Sequence, residues 1–200
     1  MAKKYYAVRK GYKTGIFDNW EECKSYVCEY SGAEYKSFNN QDDAFDYLNN
    51  KTEYINTENP TTIDNDKAIA YCDGSYDNNT QRFAYGVVIM YDRQTTEFSQ
   101  AFDKFDTGRN VTGEIFGAMK AMQFCLDNNI KSLDLYYDYA GIEAWATGTW
   151  KANKEMTKKY ASFYEKLKDK LDVNFIKVQA HTGVEFNEKA DKLAKAALGL

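Results

Sequence analysis

In residues 67–74, KAIAYCDG, positions 68–73 read as a strand with one residue out of keeping. Alternation puts Ile69, Tyr71 and Asp73 on one face and Ala68, Ala70 and Cys72 on the other, because successive side chains of a strand point to opposite sides. Asp73 falls on the face of Ile69 and Tyr71, where another apolar side chain is expected. Outward from it, apolar runs at 83–91 and 97–102 read as further strands. Residues 111–127 read as a helix with Ala118, Ala121, Met122 and Cys125 on one face. Strands at 133–138 and 173–179 and helices over 141–145, 154–171 and 187–198 follow. Three strands succeeded by alternating helices and strands predict an α/β domain on a mixed sheet.

Upstream, the single proline, Pro60, sits in a polar stretch, 50–66, that lacks apolar periodicity and carries a net charge of −3. It reads as a linker. Residues 1–49 then form a small module. Strands are expected near 5–8, 15–17 and 35–38, with a helix capped by Asn19 and a second opened by Asn40 with Ala44, Phe45 and Leu48 inward. This is a β-β-α-β-α arrangement near the lower size limit for independent folding. The division is therefore 1–49, linker 50–66, and a larger domain 67–200.

Composition bounds the function. A chain of 200 residues, 44% hydrophobic and with a net charge of −4, has material for a packed core and is not a basic nucleic-acid coat protein, although local basic strips remain open to it. Four cysteines without a CxxC pair and one histidine, His181, supply a thiolate–imidazole zinc site poorly and suit reduced, structural thiols. No apolar run reaches the roughly 20 residues of a membrane-spanning helix, and MAKKYYAVRK lacks a signal-peptide core. A cytoplasmic monomer is the expectation.

Four acids occupy unexpected places. Asp73 and Asp138 end apolar strands, Glu114 shares the apolar face of its helix with Ala118 and Ala121, and Asp191 borders a face made by Ala190, Leu193, Ala194 and Leu198. Each alone would find a lysine or an exposed element end. Together they suggest convergence on divalent cations, and hard oxygen ligands without histidine or thiolate suit Mg²⁺ or Mn²⁺. Two such ions would suit phosphodiester hydrolysis.

AYCDGSYD, VTGEIFGAMKAM, LYYDYAGIEAW and QAHTGVEFNEKADKLA, in this order, resemble the four motif blocks of type 1 ribonuclease H. The resemblance spans 67–200 and implies a ribonuclease H-like mixed five-stranded sheet with flanking helices. It implies that Asp73, Glu114, Asp138 and Asp191 hold two Mg²⁺ ions, with Mn²⁺ as a substitute. The enzyme it implies is an endonuclease that cuts the RNA strand of an RNA–DNA hybrid, leaving 3′-hydroxyl and 5′-phosphate ends. His181 matches the family's histidine, a proton carrier beside the leaving phosphate; outside the motif it would read as a plain loop residue. Gly74, Ser75 and Tyr76 lie where the family contacts RNA, whose 2′-hydroxyl distinguishes it from DNA. Asn110 matches a hybrid-contacting asparagine, or it caps the helix, and Val111 replaces a second asparagine of many relatives. Trp150, Lys151 and Asn153, in WKAN, resemble the element that faces the DNA strand. They open a stretch, 151–170, with seven lysines against three acids. The alternative is an amphipathic helix with a solvated lysine face.

YYAVRKGYKTGIFDNWEEC, continued by AEYKSF, resembles the hybrid-binding, viroplasmin-like domain that precedes many type 1 ribonucleases H. By that resemblance Tyr6, Trp20, Tyr35 and Lys36 contact the hybrid; otherwise Trp20 and Tyr35 are core residues of a very small domain. Glu34 and Ser37 stand where relatives often have basic residues, so weaker hybrid binding than that of a fully basic module is expected.

Overall fold

The computed structural model describes residues 4–48, 67–103, 109–178 and 184–200. In the first segment, β1 (Tyr5–Lys10), β2 (Gly15–Phe17) and β3 (Glu34–Phe38) form an antiparallel sheet in the order β2-β1-β3. Between β2 and β3 runs α1 (Trp20–Val27), whose N-cap Asn19 accepts from the Glu21 amide at 2.8 Å. After β3 comes α2 (Gln41–Leu48), where Asn40 accepts from the Asp43 amide at 2.7 Å and satisfies one of the free donors of the first turn. The core of this small sheet is Val8, Phe17, Cys23 and Val27.

The larger sheet contains β4 (Lys67–Tyr76), β5 (Phe83–Tyr91), β6 (Gln94–Phe102), β7 (Ser132–Tyr137) and β8 (Asp172–Lys177), ordered β6-β5-β4-β7-β8. The β4–β5 and β5–β6 pairs are antiparallel, and the β5–β6 turn has Asp92 and Arg93 at φ 48° and 60°, the two positive values a two-residue hairpin turn requires. Parallel pairing joins β4 to β7 and β7 to β8. The helices are α3 (Asn110–Asp127), α4 (Gly141–Ala146), α5 (Glu155–Leu167) and α6 (Glu185–Leu198).

Both faces of β4 are covered, and both are apolar up to Asp73. Ala68, Ala70 and Cys72 enter a core with Ala118, Met122 and Tyr160, whereas Ile69 and Tyr71 enter a second core with Val88, Tyr136 and Ala190. Some expected boundaries shift. β4 continues past Asp73 to Tyr76, because Gly74–Tyr76 keep their pairing with Phe83–Tyr85. α5 stops at Leu167, and the chain turns through Lys168–Lys170 so that Leu171 still reaches the core. No helix among the described residues is long and apolar enough to cross a membrane.

Candidate active site

The four singled-out acids come from four elements that meet at one end of the large sheet. Asp73 continues the Ile69–Tyr71 face of β4, which α6 covers, and α6 carries Asp191. Asp138 follows directly on β7, the parallel neighbour of β4. Glu114 lies in the second turn of α3, on the opposite face of the sheet from α6. α3 can approach β4 so closely because Gly74 and Gly113 carry no Cβ: one at Gly74 would stand 2.3 Å from the Asn110 carbonyl oxygen and 2.5 Å from the Glu114 amide. On the other face Gly86, paired with Asp73, performs the same service for α6, since a Cβ there would meet the Ala190 carbonyl oxygen at 2.0 Å.

Carboxylate oxygens of Asp73, Glu114 and Asp138 all lie within 4.8 Å of one another, and Asp191 lines the same cleft of about 570 Å³. Asp73 and Glu114 are buried. Burial, and next the charge of Asp138, push the Asp73 carboxyl up to about 7, against the pull of the Gly74 amide, which donates to it at 2.6 Å. Burial likewise raises Glu114 well above the usual carboxylate range, with Asp138 and Asp73 adding to it. One oxygen of Glu114, Oε2, is buried with no hydrogen-bond partner among the described residues. A divalent cation fits this set: all donors are hard oxygens, one buried oxygen is orphaned, and the carboxylates oppose one another's ionisation.

Asp191 is held by Lys195 one turn on in α6, with Nζ donating at 2.7 Å. Lys195 lines the cleft too, as do Tyr139 and Arg109, whose guanidinium stands 6.0 Å from the Tyr76 ring centre. None of these three is among the residues expected from the sequence. The i, i+4 spacing of Lys195 from Asp191 was the available signal for the first, whereas nothing in the sequence flags Arg109.

Other expected residues divide into groups. Gly74, Ser75, Tyr76 and Asn110 all border the acid cleft. The cap of α3 is Arg109 rather than Asn110, whose amide instead donates to Glu114 at 3.5 Å. Lys151 and Asn153 are exposed, beside a larger cleft of about 1560 Å³. Trp150, expected at the DNA strand, is only 4% exposed: it is packed between Tyr139, Trp145 and the Phe45 ring from α2. In this arrangement no ring face of Trp150 is open to a nucleotide. In the N-terminal sheet, Trp20 bridges Tyr6 and Tyr35 at ring distances of 5.4 and 5.8 Å. Trp20 and Tyr35 are 36% and 45% exposed and Lys36 is exposed beside them, so this is a surface patch and not the core of the module. His181 lies outside the described residues.

Comparison with known proteins agrees with this geometry. Residues 65–199 match the family model described as RNase H, and residues 4–48 match the Ribonuclease H1 N-terminal domain. Ribonuclease H of Clostridium botulinum is 32% identical over 147 residues, covering 66% of this chain and 95% of that protein. Human ribonuclease H1 is 25% identical over an alignment of 252 residues, covering 96% of this chain and 88% of that one. Among solved structures, LC11-RNase H1 in complex with an RNA/DNA hybrid shares the fold at a TM-score of 0.54 and 19% identity, over 66% of this chain and 96% of that one. Matched over more than half its length by the family model, the chain belongs to the ribonuclease H family of enzymes.

Proposed function

We propose that the chain is an endonuclease that hydrolyses phosphodiester bonds of the RNA strand in RNA–DNA hybrids by a two-metal-ion mechanism, leaving 3′-hydroxyl and 5′-phosphate ends. The observation that carries this reading is the convergence of Asp73, Glu114 and Asp138 within 4.8 Å, with Asp191 across the same cleft. These four side chains would hold two Mg²⁺ ions, with Mn²⁺ as a substitute. Bound there, the cations would supply Lewis acidity to the attacking and departing oxygens of an in-line displacement.

The chain's own groups account for the remaining steps. Asp73, on β4 between the helix that carries Glu114 and the helix that carries Asp191, would be one of the residues that hold the cations. Glu114, fixed by the Asn110 amide, is positioned to accept from a ribose 2′-hydroxyl, and the backbone of Gly74–Ser75–Tyr76 alongside it gives a second means of distinguishing RNA from DNA. Lys195 donates to Asp191 at 2.7 Å and so steadies that carboxylate in the cleft. His181 is assigned the proton transfer to the leaving oxygen.

In the same reading, 1–49 is a hybrid-binding domain acting through Tyr6, Trp20, Tyr35 and Lys36, 50–66 is a linker, and 67–200 is the catalytic domain, with Trp150, Lys151 and Asn153 on the DNA-strand side. The chain is read as a monomer working in the cytoplasm, and its four free cysteines suit a reducing compartment. An end-labelled RNA–DNA hybrid incubated with Mg²⁺ tests the proposal. The RNA strand should be cut, duplex DNA and duplex RNA should be left intact, and Asp73→Asn should lower the rate about a thousandfold. A chain that binds hybrid yet cuts it with neither Mg²⁺ nor Mn²⁺ would be a hybrid-binding scaffold instead.

A further inference from the structure

Phe45 is completely buried, yet it does not belong to the core of its own module. Its cluster holds Ile16 of β2 from its own module, but the buried members are Ala140 and Ala144 of the α4 region and Trp150, onto whose ring it packs edge-on at 5.8 Å. We propose that α2 is a tethered competitor of the substrate: seated through Phe45 on the surface that would face the DNA strand, it must leave before a hybrid can lie across the catalytic domain. This rests on the hybrid-cleaving reading above, in which Trp150 and Lys151 serve the DNA strand.

Three observations support competition over a shared clamp. The docked Phe45 ring leaves Trp150 almost without exposed surface, and its buried Nε1–H has no acceptor among the described residues. α2 also opens with Asp42 and Asp43, and Asp42 lies near enough to Glu114 and Tyr139 for its charge to be felt at both. Acids there stand against the approach of a phosphate backbone. Finally, Lys151 and Lys154 line the catalytic-domain side of the cleft alongside α2, so its departure uncovers cations suited to a phosphate backbone.

Trp20 and Tyr35, the exposed members of the aromatic patch with Tyr6, are not engaged in this contact, so a docked module can still meet a hybrid. Eighteen residues separate Leu48 from Lys67, a reach of up to about 60 Å, so α2 can leave while staying tethered.

Hydrogen exchange on the full chain carrying Asp73→Asn, with Mg²⁺ and saturating RNA–DNA hybrid, reads the event directly. Amides of 41–48 should exchange faster with hybrid than without, while those of β4 and β5 do not change. Unchanged or deeper protection of 41–48 at saturation overturns the proposal. Steady-state cleavage gives a second readout: Phe45→Ala should lower KM about tenfold with kcat unchanged, Phe45→Leu should fall between, and acrylamide quenching of tryptophan fluorescence should rise in the same order. A Phe45→Ala chain that cuts hybrid with an unaltered KM defeats the competition alone. A wild-type chain that leaves the RNA strand intact defeats the reading beneath it.

Discussion

At Asp73 burial and a neighbouring carboxylate both favour the proton, and one backbone amide opposes them. In the absence of cations this acid keeps its proton up to about pH 7 in the folded chain, whereas in the unfolded chain it gives it up near 3.8. Between those values the folded form binds more protons, so this group's contribution makes stability fall as pH rises across the window. Thermal midpoints in EDTA should therefore drop more between pH 5 and pH 8 for the wild type than for Asp73→Asn. At pH 8 the variant should be the more stable by on the order of 5 °C. Mg²⁺ should close that gap by stabilising only the wild type. The four acids were legible in the sequence because each broke an apolar pattern, and Asp73 did so most plainly, in line with Ile69 and Tyr71. Trp150 was legible only as an aromatic beside cations; that it is covered by Phe45, more than a hundred positions away, is a tertiary fact without local signature.

Among the elements, the glycines govern how near two helices come to the sheet. Gly86→Ala would set a Cβ against the backbone of α6 at Ala190 and Ala194, atoms that cannot swing aside as a flexible side-chain tip could. α6 must then retreat, taking Asp191 with it. A loss of about 2–3 kcal/mol in urea unfolding is expected, with hybrid cleavage falling further than the unfolded fraction explains. The elements themselves were largely readable from periodicity: every expected strand and helix has a counterpart, with ends displaced by a few residues. β4 ran on to Tyr76 because ladder hydrogen bonds, rather than side-chain pattern, set a strand's length. Strand order was not readable locally, since placing β4 between β5 and β7 depends on a crossover through α3.

Taken whole, the molecule carries a net charge of −4 yet is read as binding a polyanion, so its affinity must come from local cationic strips. Hybrid binding should weaken linearly on a log–log salt plot with a shallow slope. Ser37→Lys, on the exposed strand beside Lys36, should tighten binding and steepen that slope by about one. The arrangement of the acids also has a bearing on how the chain reaches its fold. Asp73 and Asp191 are 118 positions apart, and Glu114 and Asp138 lie on further separate elements, so no short piece of the unfolded chain contains a chelating group. The ligands come together only when β4, β7, α3 and α6 have all closed, contacts that carry the largest loop-closure cost. A divalent cation therefore cannot act as a nucleus for this chain. It can only delay escape from the finished state, and in stopped-flow chevrons Mg²⁺ should lower the unfolding limb and leave the refolding limb where it was.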